Sequence, residues 1–169
     1  IIAHRVKAKG KIQVLGTSCY AGGESIGVAY REIKAGHLKA ALAGGLDAPI
    51  VLTNYLSFKN IGAAKLVANF DDKTIYGELD MACRPFSYDR NGMVLGEGGA
   101  FLVLEELENA RARGAKIYAE LVGYSVSSDG ENMVHPSERG HRWSDAINDA
   151  LAEAKINGNN IDFVSCHGT

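Results

Sequence analysis

Apolar and polar positions along the chain follow two periods. In Lys11-Ile12-Gln13-Val14-Leu15-Gly16 they alternate up to a glycine, which predicts a short strand running into a turn. After Gly22-Gly23, the residues Ile26, Ala29, Tyr30 and Ile33 recur at helical spacing and Gly36 follows Lys34 as a stop, predicting an amphipathic helix over about 21–35. The run Ala40-Ala41-Leu42-Ala43-Gly44-Gly45 reads as a buried strand, although its alanines are also compatible with a helix. Polar and turn residues around Asp71-Asp72-Lys73 and Asp89-Arg90-Asn91-Gly92 mark residues 67–92 as an irregular connection, long enough to suggest function. Further on come an apolar strand at Ala100–Leu104, a short helix from Glu105 to Arg113 closed by Gly114, and a strand at Tyr118–Ser125. Trp143, Ala146, Ile147, Ala150, Leu151 and Ala154 form one helical face ending before Gly158, and a last strand, Ile161–Ser165, presents His167 at its C-terminal end. Strands interleaved with helices imply a compact α/β unit, a layered sheet flanked by helices.

Composition narrows the function classes. A chain of 169 residues is the size of one ordinary domain, and 18 basic against 20 acidic residues give a net charge of −2, so no global basic field would hold nucleic acid. Apolar residues at 46% and charged residues at 22% are the proportions of a chain that folds. No uninterrupted apolar run is long enough to span a bilayer and no signal-peptide pattern opens the chain, so a cytoplasmic protein is the default expectation. Cys19, Cys83 and Cys166 are an odd number with no C-x-x-C spacing, which predicts free thiols. The chain opens on an apolar pair and stops at Cys166-His167-Gly168-Thr169, so both ends read as cut.

The most informative position is Cys19, in Gly16-Thr17-Ser18-Cys19-Tyr20-Ala21-Gly22-Gly23, on the turn between a predicted strand and a predicted helix start. Unpaired N–H groups and the positive end of a helix dipole favour an anion there and can hold a developing oxyanion. The competing reading is a small buried thiol that fills space. A cysteine nucleophile needs an imidazole from elsewhere in the fold, and His167, after a predicted strand and before a glycine, suits that role. His4, His37 and His141 read as solvated or structural, and His135, on a loop, does so less clearly. A metal site is not expected, because the cysteines and histidines lack a close ligand pair. Gly96-Glu97-Gly98-Gly99 precedes a strand and lacks the phosphate-loop pattern, so close backbone packing and a buried, hydrogen-bonded Glu97 are expected there.

Four ordered blocks resemble the β-ketoacyl synthase family, the condensing enzymes of fatty acid and polyketide assembly. They are Thr17-Ser18-Cys19 with Ala21-Gly22 and Ile26-Gly27; Ala43-Gly44-Gly45; Cys83-Arg84-Pro85-Phe86 through Asp89-Arg90-Asn91-Gly92 to Gly96-Glu97-Gly98; and Cys166-His167-Gly168-Thr169. Between them, Ala110 to Gly123 and Ser128-Asp129-Gly130 resemble the elongating bacterial synthases that work on a carrier protein. The resemblance implies a thiolase-like layered α/β/α/β/α fold in part. Residues 1–115 would be the later part of the nucleophile-bearing first half and 116–169 the start of the second.

By that resemblance Cys19 is the acyl-accepting nucleophile and its own N–H an oxyanion donor. His167 is the first of two active-site histidines, the second, with the family's lysine, lying outside these residues. The reaction implied is decarboxylative condensation of a Cys-bound acyl group with malonyl-acyl carrier protein in fatty acid biosynthesis, by a cytoplasmic homodimer. No bound cofactor is implied, since phosphopantetheine arrives on the carrier protein; neither a metal, nucleic acid nor a membrane takes part. Thr169 and Met93 fall at substrate-binding positions, and Lys65 near a basic position that docks the carrier protein, where an ordinary solvated lysine is the alternative. Ser87 replaces the family's usual acid, Asn91 its aspartate and Met93 its aromatic, a change that would soften the acyl pocket. Alternatives are a polyketide-type ketosynthase, a thiolase-type acyltransferase acting on coenzyme A thioesters, and a non-catalytic partner subunit of the chain-length-factor kind, which lacks the cysteine. A complete family member is more than twice as long, so the resemblance also implies that residues 1–169 alone neither condense acyl groups nor bury a complete core.

Overall fold

A computed structural model describes residues 2–64, 82–132 and 136–168. Lys65, His135 and Thr169, and the part of the expected irregular connection up to Met81, lie outside the described residues. The elements run α1 (Ile2–Arg5), a 3₁₀ turn (Ser18–Tyr20), α2 (Ala21–Lys34), β1 (Ala40–Asp47), α3 (Leu52–Asn60), β2 (Gly98–Glu105), α4 (Leu107–Ala112), α5 (His141–Ala154) and a second 3₁₀ turn (Gly158–Asn160). They fall into two compact units: residues 1–45 with 100–160, and residues 46–99 with 161–169.

In the first unit, α2 occupies the residues its periodicity predicts. It carries Glu24 in its first turn and Arg31 and Lys34 in its last, the charge order that suits the helix dipole. Gly36, at φ +77°, makes the turn that ends it. β1 pairs with β2 in a two-stranded sheet. The Glu106 N–H donates to the Lys39 carbonyl at 2.9 Å and Gly44 faces Ala100 and Phe101, so the two strands run antiparallel. A Cβ on Gly44 would lie 2.1 Å from the Ala100 carbonyl oxygen, so only glycine allows the strands this approach. The Glu106 carboxylate caps α4 by accepting from the Glu108 and Asn109 N–H groups.

Buried positions are small: Ala29, Ala43 and Ala110 in the first unit, Ala64 and Ala82 in the second, with no large side chain fully buried among the described residues. Backbones that meet across alanine and glycine gain dispersion contacts through close approach rather than through large side chains. The helical face foreseen on α5 divides, since Ala146, Ala150, Leu151 and Ala154 are partly buried while Trp143 and Ile147 are 59% exposed.

Three expected strands are absent. Residues 11–16, 118–125 and 161–165 carry strand-like patterns but join no ladder among the described residues, and a strand exists only where a neighbour pairs with its backbone. The sheet therefore has fewer strands than the sequence suggests. Conversely α3, from Leu52, was not signalled, because Leu52, Tyr55, Leu56 and Phe58 are interrupted by Thr53, Asn54 and Ser57, which are weak helix formers. Glu97 is exposed rather than buried; its carboxylate accepts from the Ile50 N–H at 3.1 Å.

Candidate active site

Cys19 sits in the 3₁₀ turn that runs directly into α2, and it is exposed. Among the described residues the thiol fills no core space, and it stands at the N-terminal entry of a 14-residue helix, where the Ala21 N–H bonds back to the Ser18 carbonyl. Ser18, before it, adopts φ +56°, a left-handed conformation that a residue with a Cβ occupies only when its surroundings hold it there. Contacts on both sides supply the hold. The Thr17 hydroxyl donates to the Glu24 carboxylate at 2.5 Å, and the Tyr20 N–H bonds back to the Thr17 carbonyl at 3.3 Å.

Behind the turn, Ser25 fastens α2 to β1. Its hydroxyl donates to the Gly44 carbonyl at 2.7 Å and accepts from the Gly44 N–H at 2.8 Å. Gly45 allows this close seating, since a Cβ there would lie 3.2 Å from the Gly22 Cα. The Ala43-Gly44-Gly45 block is thus the bed on which the Cys19 helix rests.

At the other end of α2, Glu153 of α5 gathers three donors: Lys34 Nζ at 2.7 Å, Arg31 Nη1 at 3.0 Å and the Tyr124 N–H at 2.9 Å. The Lys34 ammonium first, and the Tyr124 N–H second, hold the Glu153 carboxyl down at about 2.

In the second unit His167 is exposed in the segment 161–168. Beside it, Gly168 and Met93 line a cleft of about 130 Å³ together with Cys83, Arg84, Arg90 and Gly92. A Cβ on Gly168 would lie 2.9 Å from the Pro85 Cβ, so the His167-Gly168 segment packs against the 83–86 block. That block is stapled internally: Arg84 Nη1 pairs with Asp89 Oδ2 at 3.0 Å, and the Ser87 hydroxyl donates to Asp89 Oδ1 at 2.5 Å. Ser87 thus binds an acid two residues on. Met93 is anchored by its N–H to the Ala63 carbonyl at 2.8 Å. Met93 and Gly168 thus share one cleft.

Comparison with known proteins supplies the family. The model of the β-ketoacyl synthase N-terminal domain matches residues 1–110, and that of the C-terminal domain matches residues 118–169. The chain belongs to the β-ketoacyl synthase family. A polyketide β-ketoacyl synthase of Streptomyces halstedii is 40% identical over 168 residues, covering 99% of this chain and 38% of that protein. The 3-oxoacyl-[acyl-carrier-protein] synthase 2 of Staphylococcus aureus is 36% identical over 162 residues, covering 96% of this chain and 38% of that one. Among solved structures, a type II polyketide ketosynthase in complex with its acyl-carrier protein superposes with a TM-score of 0.88 at 32% identity, over 99% of this chain and 39% of its own. The fold is that of the thiolase-like ketosynthases, and this β-ketoacyl synthase chain spans under two-fifths of the length of the relatives it matches.

Of the expected site residues, Cys19 lies on the helix-entry turn and Met93 and His167 lie in the other unit, on its cleft side and in its last segment. Lys65 and Thr169 are outside the described residues. His37 pairs with Glu32 at 3.2 Å on the surface, and His141 opens α5. Sequence reading missed Tyr124, the Ser25 latch and Glu153, whose partners lie 19 to 122 residues away along the chain. Among the described residues no group of three or more His, Cys, Asp or Glu is gathered as a metal would need, and no helix is long and apolar enough to cross a membrane.

Proposed function

We propose that this chain carries the nucleophile of a 3-oxoacyl-[acyl-carrier-protein] synthase that condenses an acyl thioester with malonyl-acyl carrier protein. The exposed Cys19 at the entry to α2 carries the reading. Its thiolate attacks the acyl thioester carbonyl, the carbon–sulfur bond to the phosphopantetheine arm breaks, and the carrier thiol leaves. Decarboxylation of the malonyl group leaves its electron pair as an enolate, which forms the new carbon–carbon bond to the acyl carbonyl and expels Cys19. The Cys19 N–H receives the oxyanion of each tetrahedral intermediate, and His167 donates to the malonyl thioester carbonyl as negative charge builds on it. Met93 and Thr169 contact substrate, and Lys65 meets the acidic carrier protein. The enzyme works as a homodimer in the cytoplasm, where free thiols such as these three persist. It holds no resident cofactor or metal.

Fatty acid synthesis is the favoured pathway. The second reading, a polyketide ketosynthase, draws support from the Streptomyces relative at 40% identity. Release of labelled carbon dioxide from malonyl-acyl carrier protein, measured with a single short acyl donor, tests the common chemistry, and product analysis separates the pathways. One condensation per primer, ending at a single 3-oxoacyl product, supports the first reading. Repeated condensation to a poly-β-keto chain supports the second, and no carbon dioxide release refutes both.

A further inference from the structure

The residue after Cys19 is a tyrosine whose hydroxyl meets the hydroxyl of Tyr124, 104 residues on, at 2.5 Å. Two glycines one helical turn apart on α2 make room for the pair. The Tyr20 ring lies over Gly23, where a Cβ would come 3.2 Å from its Cε2. The Tyr124 ring lies over Gly27, where a Cβ would meet ring carbons at 2.0 Å. Tyr124 is itself fixed on both sides, its N–H bonded to Glu153 and its carbonyl accepting from Arg31 Nη2 at 2.8 Å. A continuous set of contacts therefore runs from the α2–α5 ion pairs through Tyr124 and Tyr20 to the backbone of the turn that holds Cys19. The turn needs such support, because Ser18 sits in the left-handed region on the other side of Cys19.

We propose that Tyr20 and Tyr124 are positioning residues that act as one unit, their joined hydroxyls holding the Cys19 turn in the conformation from which the thiolate attacks. This rests on the reading of Cys19 as the acyl acceptor. Burial first, and then the Tyr124 hydroxyl, raise the pKa of the Tyr20 phenol, so it remains a neutral hydrogen-bonding group throughout the working pH range. A contact that fixes an attack angle acts on the rate of transfer and not on the affinity for the donor.

The test compares the parent intact protein with Tyr20→Phe, Tyr124→Phe and the double variant, each of which removes a hydroxyl and keeps the ring. Transfer of a labelled acyl group from acyl-[acyl carrier protein] to the protein is followed at varied donor concentration. A lost hydrogen bond of ordinary strength corresponds to roughly a five- to tenfold fall in the saturating rate. That fall is expected in all three variants, with KM unchanged and the double variant no slower than either single one. Rates within twofold of the parent, losses confined to KM, or losses that multiply in the double variant overturn the proposal. A Cys19→Ala variant is run alongside. If it still takes up the label, the assignment of Cys19 has failed; if it does not while the tyrosine variants match the parent, only the positioning role has failed.

Discussion

Gly27→Ala is the sharpest structural perturbation available. A methyl group at this position would lie 2.0, 2.1 and 2.4 Å from three Tyr124 ring carbons, where carbon atoms in contact sit about 3.5–4.0 Å apart. Because α2 is also fastened through Ser25 to Gly44, the ring must move, by roughly 1.5 Å on those contact distances. Displacing it breaks the hydroxyl contact to Tyr20. Overpacking of this kind costs about 1–3 kcal/mol and the lost hydrogen bond about 1 kcal/mol, offset by about 1 kcal/mol from replacing a helical glycine with alanine. The net expectation is a loss of about 2 kcal/mol, read from urea unfolding followed by far-ultraviolet circular dichroism. Adding Tyr124→Ala removes the obstacle, so the double variant should recover more than 1 kcal/mol relative to the sum of the single losses, by the order of coupling found between touching residues. Gly22→Ala is the control, since its Cβ would be 3.8 Å from Gly45, an ordinary contact, and stability should be unchanged or raised. A Gly27→Ala protein as stable as the parent, or additive losses in the double variant, would refute the reasoning.

Gly44→Ala places a Cβ 2.1 Å from a backbone oxygen of β2, which cannot rotate away, and should cost about 1–3 kcal/mol in the same titration. Glu153→Gln bears on pH. Since the folded carboxyl titrates at about 2 against an ordinary 4.5, its contribution is complete above about 4.5 and is lost as pH falls toward 2. The thermal midpoint of the parent should therefore fall across that window, and that of the variant should fall less, with a smaller dependence on salt. Met93→Phe should narrow the cleft beside Gly168 and shift the ratio of rates for short over long acyl donors upward about tenfold, as expected when one or two methylenes lose their space. An unchanged donor profile would remove Met93 from the acyl pocket.

What the sequence discloses follows from the range of each signal. The two 14-residue helices were legible, because a 3.6-residue period and a glycine stop are local properties of contiguous residues. β1 and β2 were legible as short apolar runs edged by glycine. Residues 118–125 and 161–165 have comparable patterns yet join no ladder among the described residues, since pairing depends on a neighbouring backbone that a local pattern does not encode. The same division applies to the site. Cys19 announced itself through the glycine-flanked turn before a helix. Its supports did not, because Ser25 meets Gly44 and Tyr20 meets Tyr124 across separations of 19 and 104 residues, with no motif joining them. Gly27 could be matched to a family block, but its physical reason, the ring that lies against it, emerges only from packing.

Mapping the acylated residue tests the central claim most directly. After brief incubation with an acyl-[acyl carrier protein] and no malonyl donor, intact mass and peptide analysis should find one acyl group per chain, on the peptide containing Cys19, and none in the Cys19→Ala variant. Acylation at Cys83 or Cys166 instead, or undiminished labelling of Cys19→Ala, would contradict the account.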